Sequence, residues 1–456
     1  VEIRLLKVIS LRIIIIGAGE VGAELAAKLS REDNDVTVID KSMAPLDRLA
    51  SLDVLTIQGN GADLETLEAA SIRDTDLLVA VTQVDEINIM ACLLAKNNGA
   101  KRTIARIRHT AYGSEYKSLT NERLGIDITI NPEQVAAQEI VKVVKSVHAS
   151  EIDFFCKDRV QMLGMRLGPE SPLVGKKLKD LSLGDNTLVA AINRKNQLII
   201  PRGGDALELG DHMYMLALTA NHFPYELVSG KEPLRVNKIM IMGAGKVGRH
   251  VVRLLGRSRG REIKLIDSNL DKCREAADLF PEALVLYGNG TDQEFLRQEG
   301  IENTDVFVAV SGNDEVNILS ALLAKKLGVK KAIVEINRSD YALLVDTLDI
   351  DTAIRPRYLT AGTILKLVRK GKIESVMILG EDQAEVIEIS VGQGASVEGK
   401  TLKELALPGG ILVGAIVRGN KAIIPRGSDQ VVQQDKVVLF CLPELSQHAT
   451  TLFSGR

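Results

Sequence analysis

The strongest constraint on this chain is that its sequence is written twice. The segment RIIIIGAGEVG, beginning at Arg12, returns as KIMIMGAGKVG at Lys238. Gly17 matches Gly243, Asp40 matches Asp267, and the tripeptide GNG at Gly59 matches GNG at Gly288. AVTQVDEINIMACLLAK from Ala80 matches AVSGNDEVNILSALLAK from Ala309. Further on, LVAAINRKNQLIIPRG from Leu188 matches LVGAIVRGNKAIIPRG from Leu412. The displacement stays at about 225 residues, so only small insertions and deletions shift the register between two copies of one unit. Over 456 residues this predicts four domains, a first and a second lobe in each copy, at 11–135, 150–232, 236–357 and 373–456.

Each first lobe alternates strands with helices. In copy one, RIIIIGAG, DVTVID, VLTIQGNG, DLLVAVT and KRTIARIR are apolar runs read as buried strands. Between the last two, DEINIMACLLAKNNG places Ile87, Met90, Ala91 and Leu94 on one helical face and ends at Gly99. Strands joined by helical crossovers predict a Rossmann-like, doubly wound parallel sheet. The second lobes read as small α+β domains. In copy one, VQMLGMRL, TLVAAINR, QLIIPRG and DHMYMLALT are strands, and SPLVGKKLKDL is a short helix opened by Ser171-Pro172. A helix joins the lobes of each copy. Ala136, Ile140, Val143 and Val147 form its apolar stripe in copy one, and Ala361, Ile364, Leu365 and Val368 in copy two. Each stripe must be covered by its own lobe or by a partner.

The glycine turn carries the chemistry. Gly17 permits the tight turn, Gly19 lets backbone approach a pyrophosphate, and Gly22 lets helix and strand pack closely. The helix N-terminus then offers free N–H groups to phosphate. Asp40 and Asp267 end their second strands about 20 residues past the turn, where a carboxylate accepts bonds from ribose hydroxyls and disfavours a 2′-phosphate. Thr82 and Ser311 lie at the ends of the fourth strands, as base or ribose contacts or as early helix caps. Asn60 and Asn289 lie in the GNG turns, as structural turn residues or as adenine contacts.

Other chemistries are poorly supplied. Net charge is −3, aromatics are 3% and there is no Trp, so neither a basic field nor stacking platforms favour nucleic acid. Four cysteines, Cys92, Cys156, Cys273 and Cys441, form no CxxC pair, which argues against zinc or a disulfide scaffold and suits a reducing cytoplasm. No apolar run reaches the roughly 18 residues of a membrane helix. The opening VEIRLLKVIS, with Glu2, Arg4 and Lys7, shows no clean signal-peptide core. His109, His148, His212 and His250 do not recur between copies, and duplicated catalytic machinery would repeat. An NAD-dependent oxidoreductase remains the alternative from another class.

The ordered set IIIIGAGEVG, VID, GNGAD, LLVAVTQVDEINIMACLLAK and IARIR resembles the RCK (KTN) nucleotide-binding domain. The following SPLVGKKLKDL and IIPRGGDALELGD are similar to the small RCK C-terminal domain, and two such units resemble the TrkA-type regulatory subunits of Trk potassium-uptake systems. The resemblance covers the chain from about Leu11 to about Leu442. It implies a non-enzymatic cytoplasmic regulator on the inner membrane face, docked on a TrkH/TrkG-like potassium transporter, binding NAD(H), ATP or ADP. A regulator of a different, efflux transporter is the alternative within that class. Four tandem chains would build the eight-lobed ring that single-unit relatives form, giving a homotetramer. The implied contacts are Gly17, Ala18, Gly19, Glu20, Val21, Gly22, Asp40, Asn60, Thr82, Gln83 and Arg106 in copy one. In copy two they are Gly243, Ala244, Gly245, Lys246, Val247, Gly248, Asp267, Asn289 and Ser311. Arg106 and Arg108 suit phosphate, whereas copy two has Glu335 and Asn337 at those positions. Glu20 with Arg106, and Lys246 with Glu335, form a charge swap, and each pair is expected to meet at the phosphate end of its site.

Overall fold

The computed structural model describes residues 10–32, 34–108, 123–145, 151–184, 186–195, 197–220, 223, 225–230, 236–256, 260–338, 341, 345, 348, 350–368, 373–379 and 383–455. Glu2, Arg4, Lys7, His109, Val147 and His148 lie outside the described residues.

The first lobe runs β1 (Arg12–Ile16), α1 (Glu20–Ser30), β2 (Asp35–Asp40), α2 (Met43–Asp47), β3 (Leu55–Gln58), α3 (Leu64–Ala69), β4 (Leu77–Ala80), α4 (Asp85–Asn97), β5 (Arg102–Arg106) and β6 (Ile128–Ile130). All its strand pairs are parallel, in the order β3-β2-β1-β4-β5-β6. This is the dinucleotide-fold order, with the crossover direction reversing between β1 and β4. Ile13 to Ile16 are almost fully buried, as a strand covered on both faces requires. The sixth strand, ITI, was too short to declare itself in the sequence.

The helix α4 buries a different face from the one its periodicity suggested. Asn88, Ala91, Cys92 and Ala95 face the core, while Met90 is exposed. A buried asparagine at the centre of the stripe displaced the apolar pattern by about a third of a turn.

The linking helix α5 (Pro132–Lys145) follows, with Ala136, Ile140 and Val143 buried. The second lobe pairs β7 (Glu151–Phe155), β8 (Val160–Arg166), β9 (Thr187–Arg194), β10 (Gln197–Ile199) and β11 (His212–Leu218) in the antiparallel order β10-β9-β11-β8-β7, before the short α6 (Tyr225–Ser229). SPLVGKKLKDL is not an α-helix. It forms turns through Gly175 at φ +83°, a bridge from Lys177 to Ala206, and a 3-10 turn at Leu178–Asp180. The left-handed Gly175 ends helical propagation after one turn.

Copy two repeats the plan with β12 (Lys238–Met242), α7 (Lys246–Leu255), β13 (Glu262–Asp267), α8 (Leu270–Leu279), β14 (Leu284–Tyr287), α9 (Gln293–Gln298), β15 (Val306–Ala309), α10 (Asp314–Lys326), β16 (Lys331–Glu335) and β17 (Thr352–Ile354). Its parallel order is again β14-β13-β12-β15-β16-β17. The second linking helix, α11 (Pro356–Val368), leads to β18 (Ile373–Leu379), β19 (Ala384–Ser390), β20 (Ile411–Arg418), β21 (Lys421–Ile423), β22 (Lys436–Cys441) and α12 (Ser446–Ser454). Each second lobe is locked by a bidentate pair, Arg194 on Asp211 and Arg418 on Asp435, whose carboxylates are buried. The two second lobes share one core. Phe155, Val160, Met162, Tyr214 and Leu216 pack with Val386, Ala415, Val438 and Phe440. Arg159 of one lobe donates to Asn420 of the other, and the Cys156 amide donates to Glu388.

By its contacts the chain forms two compact bodies, Val1–Ala136 with Arg355–Val368, and Ala137–Ile354 with Arg369–Arg456. The helix α11 therefore belongs to copy one's first lobe. Ala361, Ile364, Leu365 and Val368 are buried, Arg102 donates to the Leu367 carbonyl, and Lys28 of α1 lies 4.7 Å from the Tyr358 ring. This stripe, which its own lobe or a partner had to cover, is covered by the first lobe of the other copy.

Candidate nucleotide clefts

In copy one the turn is built around two glycines, Gly17 and Gly22, that leave no place for a side chain. Gly17 sits at φ +104°, and its amide donates to the Ile39 carbonyl at 2.7 Å. A Cβ on Gly22 would fall 1.8 Å from the Gly17 carbonyl oxygen, so helix and turn touch there. At Gly19 a Cβ would meet nothing within 4 Å. Gly19 and Glu20 face open space at the N-terminus of α1, while Ala18, Val21 and Gly22 are buried. Copy two repeats this at Gly243, φ +113°, and at Gly248, whose Cβ would meet the Gly243 carbonyl oxygen at 1.9 Å; Ala244 and Val247 are buried, Gly245 half-buried and Lys246 exposed.

The carboxylates after the second strands brace the turns. Asp40 accepts from the Ala18 amide at 2.7 Å and the Ser42 amide at 2.9 Å. Asp267 accepts from Ala244 and Asn269, both at 2.8 Å. Asn60 and Asn289 fold onto their own loops, accepting from the Ala62 and Thr291 amides. These contacts hold the GNG turns in shape.

Thr82 lies between the β1 and β4 ends, and its fixing group was missed in the sequence. The buried Asn88 accepts from the Thr82 amide at 2.9 Å and hydroxyl at 2.7 Å, and donates to the Thr82 and Arg106 carbonyls. Asn317 accepts from the Ser311 amide and hydroxyl and donates to the Glu335 carbonyl. One side chain thus ties the ends of two neighbouring strands to a helix. The signal was present: Asn stands at the same place in both repeats, inside an otherwise apolar stretch. Thr82 does not cap α4, whose capping position is Val84; its hydroxyl accepts from the Val84 amide at 3.2 Å. Gln83 is exposed.

The clefts differ at the fifth strand. Arg106 is half-buried and its Nε has no hydrogen-bond partner. Burial, then the neighbouring Arg108, holds its guanidinium below the ordinary arginine pKa, with Arg357 adding to the effect against Glu133 and Asp85. It stays charged at neutral pH. Arg108 is tied instead to the buried Glu133, its Nε donating at 2.6 Å. In copy two, Glu335 is buried and accepts from Asn337, whose amide donates to Asp314. The expected pair of Glu20 with Arg106 does not form, because Glu20 is paired with Arg357 at the start of α11. A sequence offers no way to know which helix from elsewhere in the chain will arrive beside an exposed glutamate.

Among the described residues no group of three or more His, Cys, Asp or Glu is arranged to hold a metal ion, and no helix is long and apolar enough to cross a membrane. His212 stacks on Tyr214 within β11, with ring centroids 4.8 Å apart.

Comparison with known proteins matches these lobes one by one. The TrkA-N domain model matches residues 13–132 and 239–356, and the TrkA-C domain model matches 162–221 and 386–454. The chain is 38% identical over 450 residues to Trk system potassium uptake protein TrkA homolog 1 of Methanosarcina mazei, covering 97% of this chain and 100% of that one. It is 36% identical over 440 residues to TrkA of Halomonas elongata, covering 95% and 96%. Among solved structures, the GsuK RCK domain superposes with a TM-score of 0.59 at 16% identity, covering 98% of this chain and 96% of that one. The GsuK channel bound to NAD gives 0.59 at 16% identity, covering 99% and 80%. With both domain types matched twice, and relatives aligned along nearly its whole length, the chain belongs to the TrkA family of tandem RCK/KTN regulatory, non-catalytic proteins.

Proposed function

We propose that this chain is a nucleotide-sensing regulatory subunit of a Trk-type potassium-uptake system, with NAD(H) or an adenine nucleotide bound in the copy one cleft. The observation that carries the reading is Arg106: a half-buried guanidinium with an unpartnered N–H, at the same sheet end as an open glycine turn. A buried donor without an acceptor is costly, and a phosphate oxygen would supply one. Gly17 to Gly22 would hold the phosphates, and Thr82 and Gln83 lie where the nucleoside would rest. Asp40 has spare lone pairs for a ribose after bracing the turn. Copy two keeps the turn, at Gly243 to Gly248 with Asp267 and Ser311, and replaces the cation with Glu335, so it is the weaker anion site. The M. mazei and H. elongata relatives are potassium-uptake proteins by name, and the NAD of the GsuK structure belongs to a protein of the same fold.

The partner is a TrkH/TrkG-like membrane subunit at the cytoplasmic face, and the assembly is a homotetramer. Matched apolar side chains, Met90 with Leu319 and Leu55 with Leu284, are exposed in the two first lobes and are available to such an assembly beside the linking helices and second lobes. Titration calorimetry of the full chain with NADH, ADP and ATP tests the nucleotide reading. Arg106→Ala is expected to weaken binding about ten- to a hundredfold, the worth of a charged hydrogen bond. Wild-type affinity in a folded Arg106→Ala protein would reject the site.

A further inference from the structure

Copy one's cleft receives a residue from copy two. The helix α11 begins Arg355-Pro356-Arg357, at the positions where α5 has Asn131-Pro132-Glu133. Its stripe is buried in copy one's body, and its first turn is anchored by Tyr358, held between Lys28 and Arg355, each 4.7 Å from the ring. That seating places Arg357 on the Glu20 carboxylate, one residue beyond the open Gly19. Both side chains keep nearly half their surface exposed, 43% for Arg357 and 46% for Glu20. Their pairing is therefore weak and exchangeable.

We propose that Arg357 is a phosphate-gripping residue of the copy one cleft, held ready by Glu20. This rests on the nucleotide reading above. A terminal phosphate at the N-terminus of α1 displaces the Glu20 carboxylate from Arg357 and lies between Arg357 and Arg106. No bond is made or broken, and one anion replaces another on the same guanidinium. The ligand class is a nucleoside di- or triphosphate. Its terminal phosphate carries more charge and more free oxygens than the diester phosphates of a dinucleotide, so it gains more from a second guanidinium. Glu20 repels that extra charge and acts as the opposing gate. Since Arg357 rides on the helix that leads into copy two's second lobe, the exchange couples ligand identity in copy one to the position of that helix. Copy two cannot reproduce the device, because the residue matching Arg357 is Glu133, already engaged with Arg108.

The experiment titrates the full chain with ATP and with NADH, for wild type, Arg357→Gln, Glu20→Gln and the double variant. Arg357→Gln is expected to weaken ATP about tenfold and NADH less than about twofold, the first being the loss of one charge-assisted contact. Glu20→Gln is expected to tighten ATP several-fold, and that gain should vanish in the double variant. Arg357→Ala, with thermal unfolding alongside, covers a folding defect in Arg357→Gln. Equal losses for ATP and NADH, unchanged ATP affinity in Arg357→Gln, or a Glu20→Gln gain that persists without Arg357 would overturn the proposal. Wild type that binds neither nucleotide would instead defeat the nucleotide reading itself.

Discussion

The clefts of the two copies share a skeleton and differ in their charge. Both have the same strand order, the same left-handed glycine, the same aspartate bracing the turn and the same buried asparagine. Copy one sets Arg106 and the imported Arg357 at its rim, whereas copy two buries Glu335 and turns Asn337 back onto Asp314. Geometry at a duplicated site is held by steric necessity. Charge is held only by what the site must bind, so charge is where the copies have parted.

The largest expected effect tests the shared skeleton. Gly22→Val and Gly248→Val each force a Cβ to within 1.8 and 1.9 Å of a carbonyl oxygen. Both are expected to cost more than about 3 kcal/mol, the upper range for single substitutions. Thermal unfolding of the full chain reads this. A tolerated substitution in copy two alone would show that its turn is no longer needed in this form.

Next come the asparagines. Asn88→Ala and Asn317→Ala each strip bonding partners from two strand ends, for an expected loss of about 2–3 kcal/mol. Hydrogen exchange should show opening at Thr82 and Ser311 to similar degrees. An effect confined to one copy would break the equivalence.

A further effect separates the copies by pH. Lys331 is 3% exposed at the start of β16, and burial lowers its pKa to about 7. The matching residue in copy one is Arg102, which donates to the Leu367 carbonyl. A lysine with a folded pKa below its unfolded value binds fewer protons when folded. Its contribution to stability therefore rises with pH between about 7 and about 10.4. Wild type should gain stability over that window relative to Lys331→Met, and no such difference should attach to Arg102→Met. A flat comparison for Lys331→Met would remove this distinction.

Much of the skeleton was legible because it is local. A strand, a glycine turn and a helix lie within a dozen residues, and the aspartate follows at a fixed spacing. What the sequence hid depends on partners far along the chain. Arg357 is an ordinary helix residue until α11 is seen lying on α1. Asn88 interrupts an apolar stripe, and periodicity alone passed over it and put the exposed Met90 on the buried face. The short helix expected at Ser171-Pro172 failed because Gly175 stopped it, a glycine whose backbone angle no pattern reveals. Glu151–Phe155 is a strand whose pairing with β8 outweighs a weak pattern of its own.

The common core of the two second lobes has a consequence for the history of such a chain. Two lobes that meet through Tyr214, Phe155 and Phe440 would, as separate molecules, associate only above some threshold abundance. Joined in one polypeptide, each finds the other at an effective concentration set by the connecting chain, on the order of millimolar for short flexible linkers. Their union no longer depends on how much protein the cell makes. Freed from having to recognise an identical twin, the two halves could drift apart in charge without losing each other.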